Sequence, residues 1–320
     1  MYETEEKNTN MLKVRQLFCS AFVVVIFILP VRAFSQKDSL RSLITRIAAS
    51  AGGTVGVGLL QIESGDTLYL NRDHHFPMQS VYKFPLAMYV LNLVDSGKLS
   101  LDQKLHITKK DIPDDTWSPM REKFPAGNIE LTLRELLLYS ISKSDNNATD
   151  ILFRIVGGPQ RVENYLRGLG VQGMAIKKTE KQMHDNEINA FQNWCQPQEM
   201  TKLLRAFYHS YYLSFESTDL LMKLMTESEN SPKRILGMLP QGAQVAHKTG
   251  TSNTNKAGVN AATNDVGIIT LPNGEHLALV VYISMSKLDL AARESVIAQI
   301  ARASWDYYSS SPHTKINVGR

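Results

Sequence analysis

The sequence predicts an α/β fold whose sheet is built from both ends of the chain, with a helical lobe inserted between them. Strand patterns occur early, at 54–62 and 67–71, and again late, at 244–248, 264–270 and 277–284. Between them the apolar spacing is helical, at 81–95, 131–142, 146–156, 159–168, 197–208 and 216–227. A helix over 38–50 precedes the first strand, and another runs from about Ala291 to Ser309. Glu63-Ser64-Gly65-Asp66 joins the first two strands as a turn, and Pro272-Asn273-Gly274 forms a hairpin turn between the last two. The expected division is a discontinuous α/β lobe of residues 36–79 and 228–312, a helical lobe of 80–227 and a loose tail at 313–320. Neither an internal repeat nor a low-complexity linker interrupts this order.

The N-terminus reads as an export leader. Lys13 and Arg15 precede the apolar run Leu17 to Pro30, and Ala33-Phe34-Ser35 supplies small residues where a signal peptidase requires them. Cleavage is expected after Ser35, giving a periplasmic protein with no stable membrane association, and Met11 is a second candidate start. Cys19 leaves with the leader, so Cys195 is alone in the mature chain and no intramolecular disulfide can form. About 285 residues remain, enough for a large core. A formal charge of +4 with no basic run interleaved with aromatics gives no support to nucleic-acid binding. The 8 histidines include the pair His74-His75 but no zinc-binding grouping, so neither a metal nor a cofactor is expected, and a monomer is.

Three short motifs follow one another in a fixed order: Ser80-Val81-Tyr82-Lys83, Ser144-Asp145-Asn146 and Lys248-Thr249-Gly250. Together they describe a serine acyl-transfer site. Ser80 follows a turn-like run ending in Pro77 and precedes a helical apolar stretch, which puts its hydroxyl near free N–H groups and the positive end of a helix dipole. Lys83 lies one turn later on the same face, where a neutral amine could take the hydroxyl proton. Pro85 falls close to the first turn, where a missing N–H costs least. Taken alone, Ser80 and Lys83 also read as a capping serine beside a surface lysine; the ordered set of three motifs is the stronger signal.

On these motifs the chain resembles a class A serine β-lactamase, from about residue 38 to residue 308, within the superfamily that includes the D-alanyl-D-alanine peptidases. The resemblance implies an antiparallel sheet flanked by helices plus an inserted all-α lobe, with the active site in the cleft between them. It also implies hydrolysis of penicillins and especially cephalosporins through a serine acyl-enzyme. Ser80 would be the nucleophile and Lys83 its activator. Ser144 would relay protons, and Asn146 would hold Lys83 and the substrate. Lys248 and Thr249 match the groups that bind the substrate carboxylate, with Gly250 beside them, and Thr251 N–H would join Ser80 N–H in the oxyanion hole.

Glu180 falls where the family carries the omega-loop base that activates the deacylating water, and His184, four residues on, would help position that water. A D-alanyl-D-alanine peptidase gives no reason for that glutamate, and a β-lactam sensor that stays acylated is expected to carry a membrane tether or partner domain. The loop departs from the commoner family pattern at three positions, carrying Lys178, His184 and Asn193 where Arg, Asn and Asp are usual. The usual ion pair cannot form on an uncharged Asn193. These departures resemble the PER-type, cephalosporin-preferring branch. Arg234 is a candidate second carboxylate anchor or an exposed arginine flanking a helix, and Trp117 is a candidate aromatic wall of the cleft or a core residue.

Overall fold

The computed structural model of the chain describes residues 36–228 and 230–310. The chain divides into two units, one ending at Ile44 and one beginning at Thr45; the described part of the first is the start of helix α1, residues 36–49. The expected leader, with Cys19, and the expected tail lie outside the described residues. Among the described residues no helix is long and apolar enough to cross a membrane.

In chain order the strands are β1 (Thr54–Gln61), β2 (Thr67–Leu70), β3 (Phe76–Pro77), β4 (Lys104–Ile107), β5 (Ile129–Thr132), β6 (Met174–Ala175), β7 (Trp194–Cys195), β8 (Val245–Thr251), β9 (Thr263–Thr270) and β10 (His276–Ser284). The helices after α1 are α2 (Lys83–Asp95), α3 (Pro119–Lys123), α4 (Leu133–Ile141), α5 (Asn146–Val156), α6 (Pro159–Gly168), α7 (Glu180–Asp185), α8 (Pro197–Tyr208), α9 (Phe215–Thr226) and α10 (Leu290–Ser310).

The main sheet has the order β2-β1-β10-β9-β8 and is antiparallel throughout, so strands from the two chain ends join in one sheet as expected, the early pair beside the late three. Helices α8 and α10 both pack on it. Every residue of β10 after His276 is buried, which is why this strand reads as an apolar run rather than an alternating one. Gly58 of β1 lets α8 approach: a Cβ there would stand 2.7 Å from Thr201 Cγ2 and 2.9 Å from the Pro197 carbonyl oxygen.

The segment between β3 and β8 contributes no strand to the main sheet. Its centre is α2, buried continuously from Lys83 to Met88 and packed against α4, α5, α6 and α9. The expected helix over 131–142 starts later, at Leu133, because Ile129–Thr132 pairs with β4 and Thr132 closes a capping box with Glu135. Strand β8 runs on to Thr251, beyond the expected Lys248, because its ladder with β9 continues to the pair Thr251↔Thr263. The sheet β3-β7-β6 was invisible to periodicity, since strands of two residues carry no alternation.

Candidate active site

Ser80 lies in a single 3-10 turn, Gln79–Tyr82, that runs directly into α2. Gln79 has φ of 47°, so the backbone reverses sharply just before the serine. Pro85 is the third residue of α2, inside the first turn. The approach to Ser80 is fixed from two sides. Asn264 Nδ2 donates to the carbonyls of Pro77 (2.8 Å) and Met78 (3.0 Å), and Met78 N–H donates to Asn193 O (2.8 Å). On β8, Gly250 abuts the same turn: a Cβ there would come within 2.4 Å of Met78 O and 3.2 Å of Ser80 N. A side chain at 250 would push the strand away from the serine. Strand β8 ends the sheet order, so among the described residues its outer backbone edge has no strand partner.

The three motifs meet at two buried lysines. Lys83 Nζ donates to Asn146 Oδ1 (2.6 Å) and Ser144 O (2.9 Å) and pairs with Glu180 Oε1 at 3.1 Å, one acceptor for each proton of an ammonium. Lys248 Nζ donates to Ser144 Oγ at 2.8 Å and to Thr249 O at 3.1 Å. Burial, and after it the charge of Lys83, holds the Lys248 amine well below the usual lysine range. Ser144 has φ of 54° in the loop between α4 and α5. The surface-lysine alternative for Lys83 therefore does not hold, because its amine is fully buried.

Asp145, between the two motif side chains, is structural. Its Oδ1 caps α5 at Ala148 N–H (2.8 Å), while Oδ2 accepts from Ser118 Oγ (2.8 Å) and Met120 N–H (2.7 Å). These bonds join the motif to the segment that carries Trp117. Trp117 O accepts from Asn146 N–H (3.0 Å), Asn146 Nδ2 donates to Thr116 Oγ1 (2.8 Å), and the indole N–H donates to Lys143 O (3.2 Å). Trp117 is 56% exposed and lines the cleft, so the core-packing alternative falls.

The loop bearing Glu180 is closed at its neck by β6 and β7, paired as Met174↔Cys195 and Ala175↔Trp194, with Cys195 buried. Just inside the neck stands Asn193. The expected lack of an ion pair is compensated by this amide, whose Oδ1 accepts from Lys177 N–H (2.7 Å) and Lys178 N–H (2.9 Å) while Nδ2 donates to Lys178 O (2.8 Å). Glu180 opens α7, where Thr179 makes a capping box with Gln182. His184 lines the cleft one turn after Glu180, with Nε2 3.6 Å from Asp115 Oδ2.

Sequence reasoning passed over Asp150. Its two oxygens accept from Glu180 N–H (2.7 Å) and Lys181 N–H (2.9 Å), so it anchors the first turn of α7 from α5. The i, i+4 spacing from Asn146 puts both residues on one face of α5 and could have found it. Burial, with the Glu180 charge, pushes the Asp150 carboxyl up to about 6 against its two backbone bonds. Arg234 is neither exposed nor a cleft residue. It is 1% exposed behind β8 and β9, donating to Thr251 Oγ1 (2.7 Å), Asn264 O (2.8 Å) and Gly250 O (3.3 Å), with Nε 3.3 Å from Glu294 Oε1.

Two stability predictions follow from the loop. Asn193→Asp replaces the donor to Lys178 O by an oxygen, and a buried carboxylate facing a carbonyl should lower unfolding free energy in urea by about 1–3 kcal/mol. For Asp150 the folded pKa is raised, so the stability it lends is complete below its ordinary value and is lost as pH rises from 3.8 through about 6. The stability of the parent minus that of Asp150→Asn should therefore fall between pH 4 and pH 7, a range set by that shift; a pH-independent difference would refute the assignment.

The cleft over Ser80, Asn146 and Glu180 has a volume of about 850 Å³ and is walled by Trp117, Met183, Phe191, Val259 and Met285 among others. Residues 39–308 match the family described as the Beta-lactamase enzyme family. The chain is 41% identical to β-lactamase VEB-1 of Pseudomonas aeruginosa over 285 residues, 88% of this chain and 95% of that protein. It is 38% identical to the extended-spectrum β-lactamase PER-1 of the same organism over 273 residues, 85% of this chain and 88% of that protein. A solved β-lactamase from Chitinophaga pinensis DSM 2588 shares 52% identity with a TM-score of 0.83, across 84% of this chain and 99% of its own. Family match, identity over most of the length and fold agree with the junction of the three motifs on Lys83 and Lys248, and the chain belongs to the β-lactamase enzyme family, in its class A.

Proposed function

We propose that this β-lactamase opens the lactam ring of penicillins and, by preference, of cephalosporins with bulky oximino side chains, in two steps on Ser80. The observation that carries the reading is the junction at Lys83 Nζ, which reaches groups of both Ser144 and Asn146 and the carboxylate of Glu180. Ser80 Oγ attacks the lactam carbonyl carbon, and its proton passes into the Lys83–Glu180 pair. The developing oxyanion takes hydrogen bonds from the N–H groups of Ser80 and Thr251. When the C–N bond breaks, Ser144 Oγ gives its proton to the lactam nitrogen and is resupplied by Lys248 Nζ, 2.8 Å away, which in turn recovers the proton held by the Lys83–Glu180 pair and leaves that pair as it began. Water then attacks the ester, Glu180 takes its proton, and Ser80 Oγ leaves with a proton restored.

Binding follows from the walls. Lys248, Thr249 and Thr251 face the substrate carboxylate, and Arg234 serves that end of the site through its bond to Thr251 Oγ1 (2.7 Å) rather than by touching substrate. The free edge of β8 is suited to pair with the substrate's side-chain amide. Trp117 closes one wall, and His184 stands on the same face of α7 as Glu180 to hold the water. The preference for large cephalosporins rests on the 850 Å³ cleft, on the amide-fastened loop and on the likeness to the extended-spectrum enzyme PER-1. Export through the N-terminal leader to the periplasm, the two lobes of 36–79 with 228–312 and of 80–227, and a monomeric state complete the reading.

Two variants test the chemistry. Ser80→Ala should lose both turnover and covalent mass gain on exposure to penicillin while keeping its Tm; a labelled, active variant would defeat the reading. Glu180→Gln should slow deacylation by roughly 10² to 10⁴ and accumulate acyl-enzyme visible by mass spectrometry. Parental turnover of cephalosporins by that variant would show that Glu180 is not the base. A kcat/KM for ceftazidime far below that for a small penicillin would reject the substrate preference alone.

A further inference from the structure

The chemistry above leaves one buried pair unused, His247 of β8 and Asp265 of β9. Alternation along β8 puts His247, Thr249 and Thr251 on one face, and the register places Asp265 on that face, opposite Thr249. Lys248 and Gly250 point the other way, to Ser144 and to the turn at Ser80. His247 and Asp265 are 1% and 0% exposed, and Nδ1 of the ring stands 2.9 Å from Asp265 Oδ1 and 3.0 Å from Oδ2. A carboxylate only accepts, so Nδ1–H is the donor. Nε2 is buried and finds no partner among the described residues, so the ring's polar bonding is to Asp265 alone. Room for the side chain is kept across the ladder: a Cβ at Gly267, the register partner of His247, would stand 2.7 Å from His247 Cβ.

Asp265 has a second bond, which leads back to the cleft. Its Oδ2 accepts from Ile235 N–H at 3.1 Å. Ile235 opens the 3-10 turn Ile235–Met238, and Arg234 in front of it supplies no side-chain cap, so Asp265 satisfies an N–H that the turn itself leaves free. Arg234 then reaches the end of β8, donating to Gly250 O (3.3 Å) and to Thr251 Oγ1 (2.7 Å) as well as to Asn264 O (2.8 Å). Burial lowers the arginine pKa, and the charges of Asp265 and Glu294 oppose that shift. Thr251 lines the cleft, and because its hydroxyl accepts from Arg234, its own proton is left for an acceptor there. Hydrogen bonds thus connect His247 to Thr251 through Asp265 and the Arg234–Ile235 link without a gap.

We propose that His247 and Asp265 are positioning residues for substrate binding: the imidazole fixes the Asp265 carboxylate on Ile235 N–H, which keeps Arg234 on Thr251 Oγ1 and aims the threonine proton at the substrate carboxylate. The inference rests on the reading that Thr251 meets that carboxylate. A carboxylate held by Ile235 N–H alone could turn about its Cβ–Cγ bond, a torsion with broad preferences, whereas a second donor set between both oxygens holds its plane. The arrangement reaches Thr251 from behind the strand and takes up none of the cleft.

The test is His247→Leu, which removes the donor, with His247→Asn as the conservative variant whose Nδ2 can replace Nδ1–H. Each is assayed on a cephalosporin acid and on the methyl ester of its ring carboxylate. For His247→Leu, kcat/KM on the acid should fall about three- to tenfold, the effect of losing one ordinary hydrogen bond, with kcat held within about twofold. The ester should react with the variant as it does with the parent, and His247→Asn should restore the value on the acid. A merely structural pair would lower Tm and leave the acid-to-ester ratio where it is. That result, or an equal loss on both substrates, overturns the proposal. Should His247→Leu not fold, Asp265→Asn takes its place: it keeps the shape, exchanges a charge-assisted bond to Ile235 N–H for a neutral one, and must show the same loss confined to the acid. A parent protein that takes the ester as readily as the acid would instead refute the carboxylate reading at Thr251, and the proposal with it.

Discussion

The site depends on where one buried amine is held. Lys83 Nζ is approached by acceptors from the α4–α5 loop, from the first residue of α5 and from the first residue of α7, segments remote from it in sequence. A cation removed from water this completely costs several kcal/mol unless it is paired and hydrogen-bonded, so the three acceptors must be in place for the fold itself. Each is fixed by something else. Asn146 is held by Thr116, Glu180 by Asp150, and Ser144 by a backbone with φ of 54°. Ser144 turns its carbonyl to Lys83 and its hydroxyl to Lys248, and so stands between two amines that repel one another.

Much of this was legible. Helices α5, α6 and α8 fall where the apolar spacing put them, and the joining of early and late strands in one sheet followed from where strand patterns stop and resume. The motif residues were legible because acyl transfer requires particular groups at fixed local spacings. What the sequence hid is made by tertiary partnership. Strands β3, β6 and β7 are two residues each and are made by their pairing, β7 with both of the others. Arg234 looked like a surface or cleft residue because nothing local announces that β8, β9 and Glu294 will enclose it. Trp117 could not be placed until Asp145 was seen to tie its segment to the α4–α5 loop.

The omega loop shows how a departure from the common pattern is absorbed. Where a family member with Arg and Asp would use opposite charges, this chain uses one amide that both accepts and donates, bonded to backbone rather than to a side chain. Backbone groups cannot titrate, so the fastening at Asn193 is insensitive to pH and salt over the range where an ion pair would weaken. The buried carboxylate of the loop stands instead at the first turn of α7, where Glu180 meets Asp150 of α5 and Lys83 of α2. Fastening and chemistry are thereby assigned to different groups.

Cys195 gives the neck of that loop an intrinsic reporter. Its thiol is buried and donates to Gln196 O at 3.2 Å, and burial pushes its pKa up, so it is inert while β7 stays paired with β3 and β6. The other cysteine of the chain is Cys19, in the expected leader. The rate at which a small thiol reagent modifies the protein therefore measures how often the sheet around Cys195, paired with Phe76 on one side and Met174 on the other, opens. Compared with and without a slowly hydrolysed acyl group on Ser80, that rate would state in kinetic terms how tightly occupancy of the cleft is coupled to local unfolding of the loop's base.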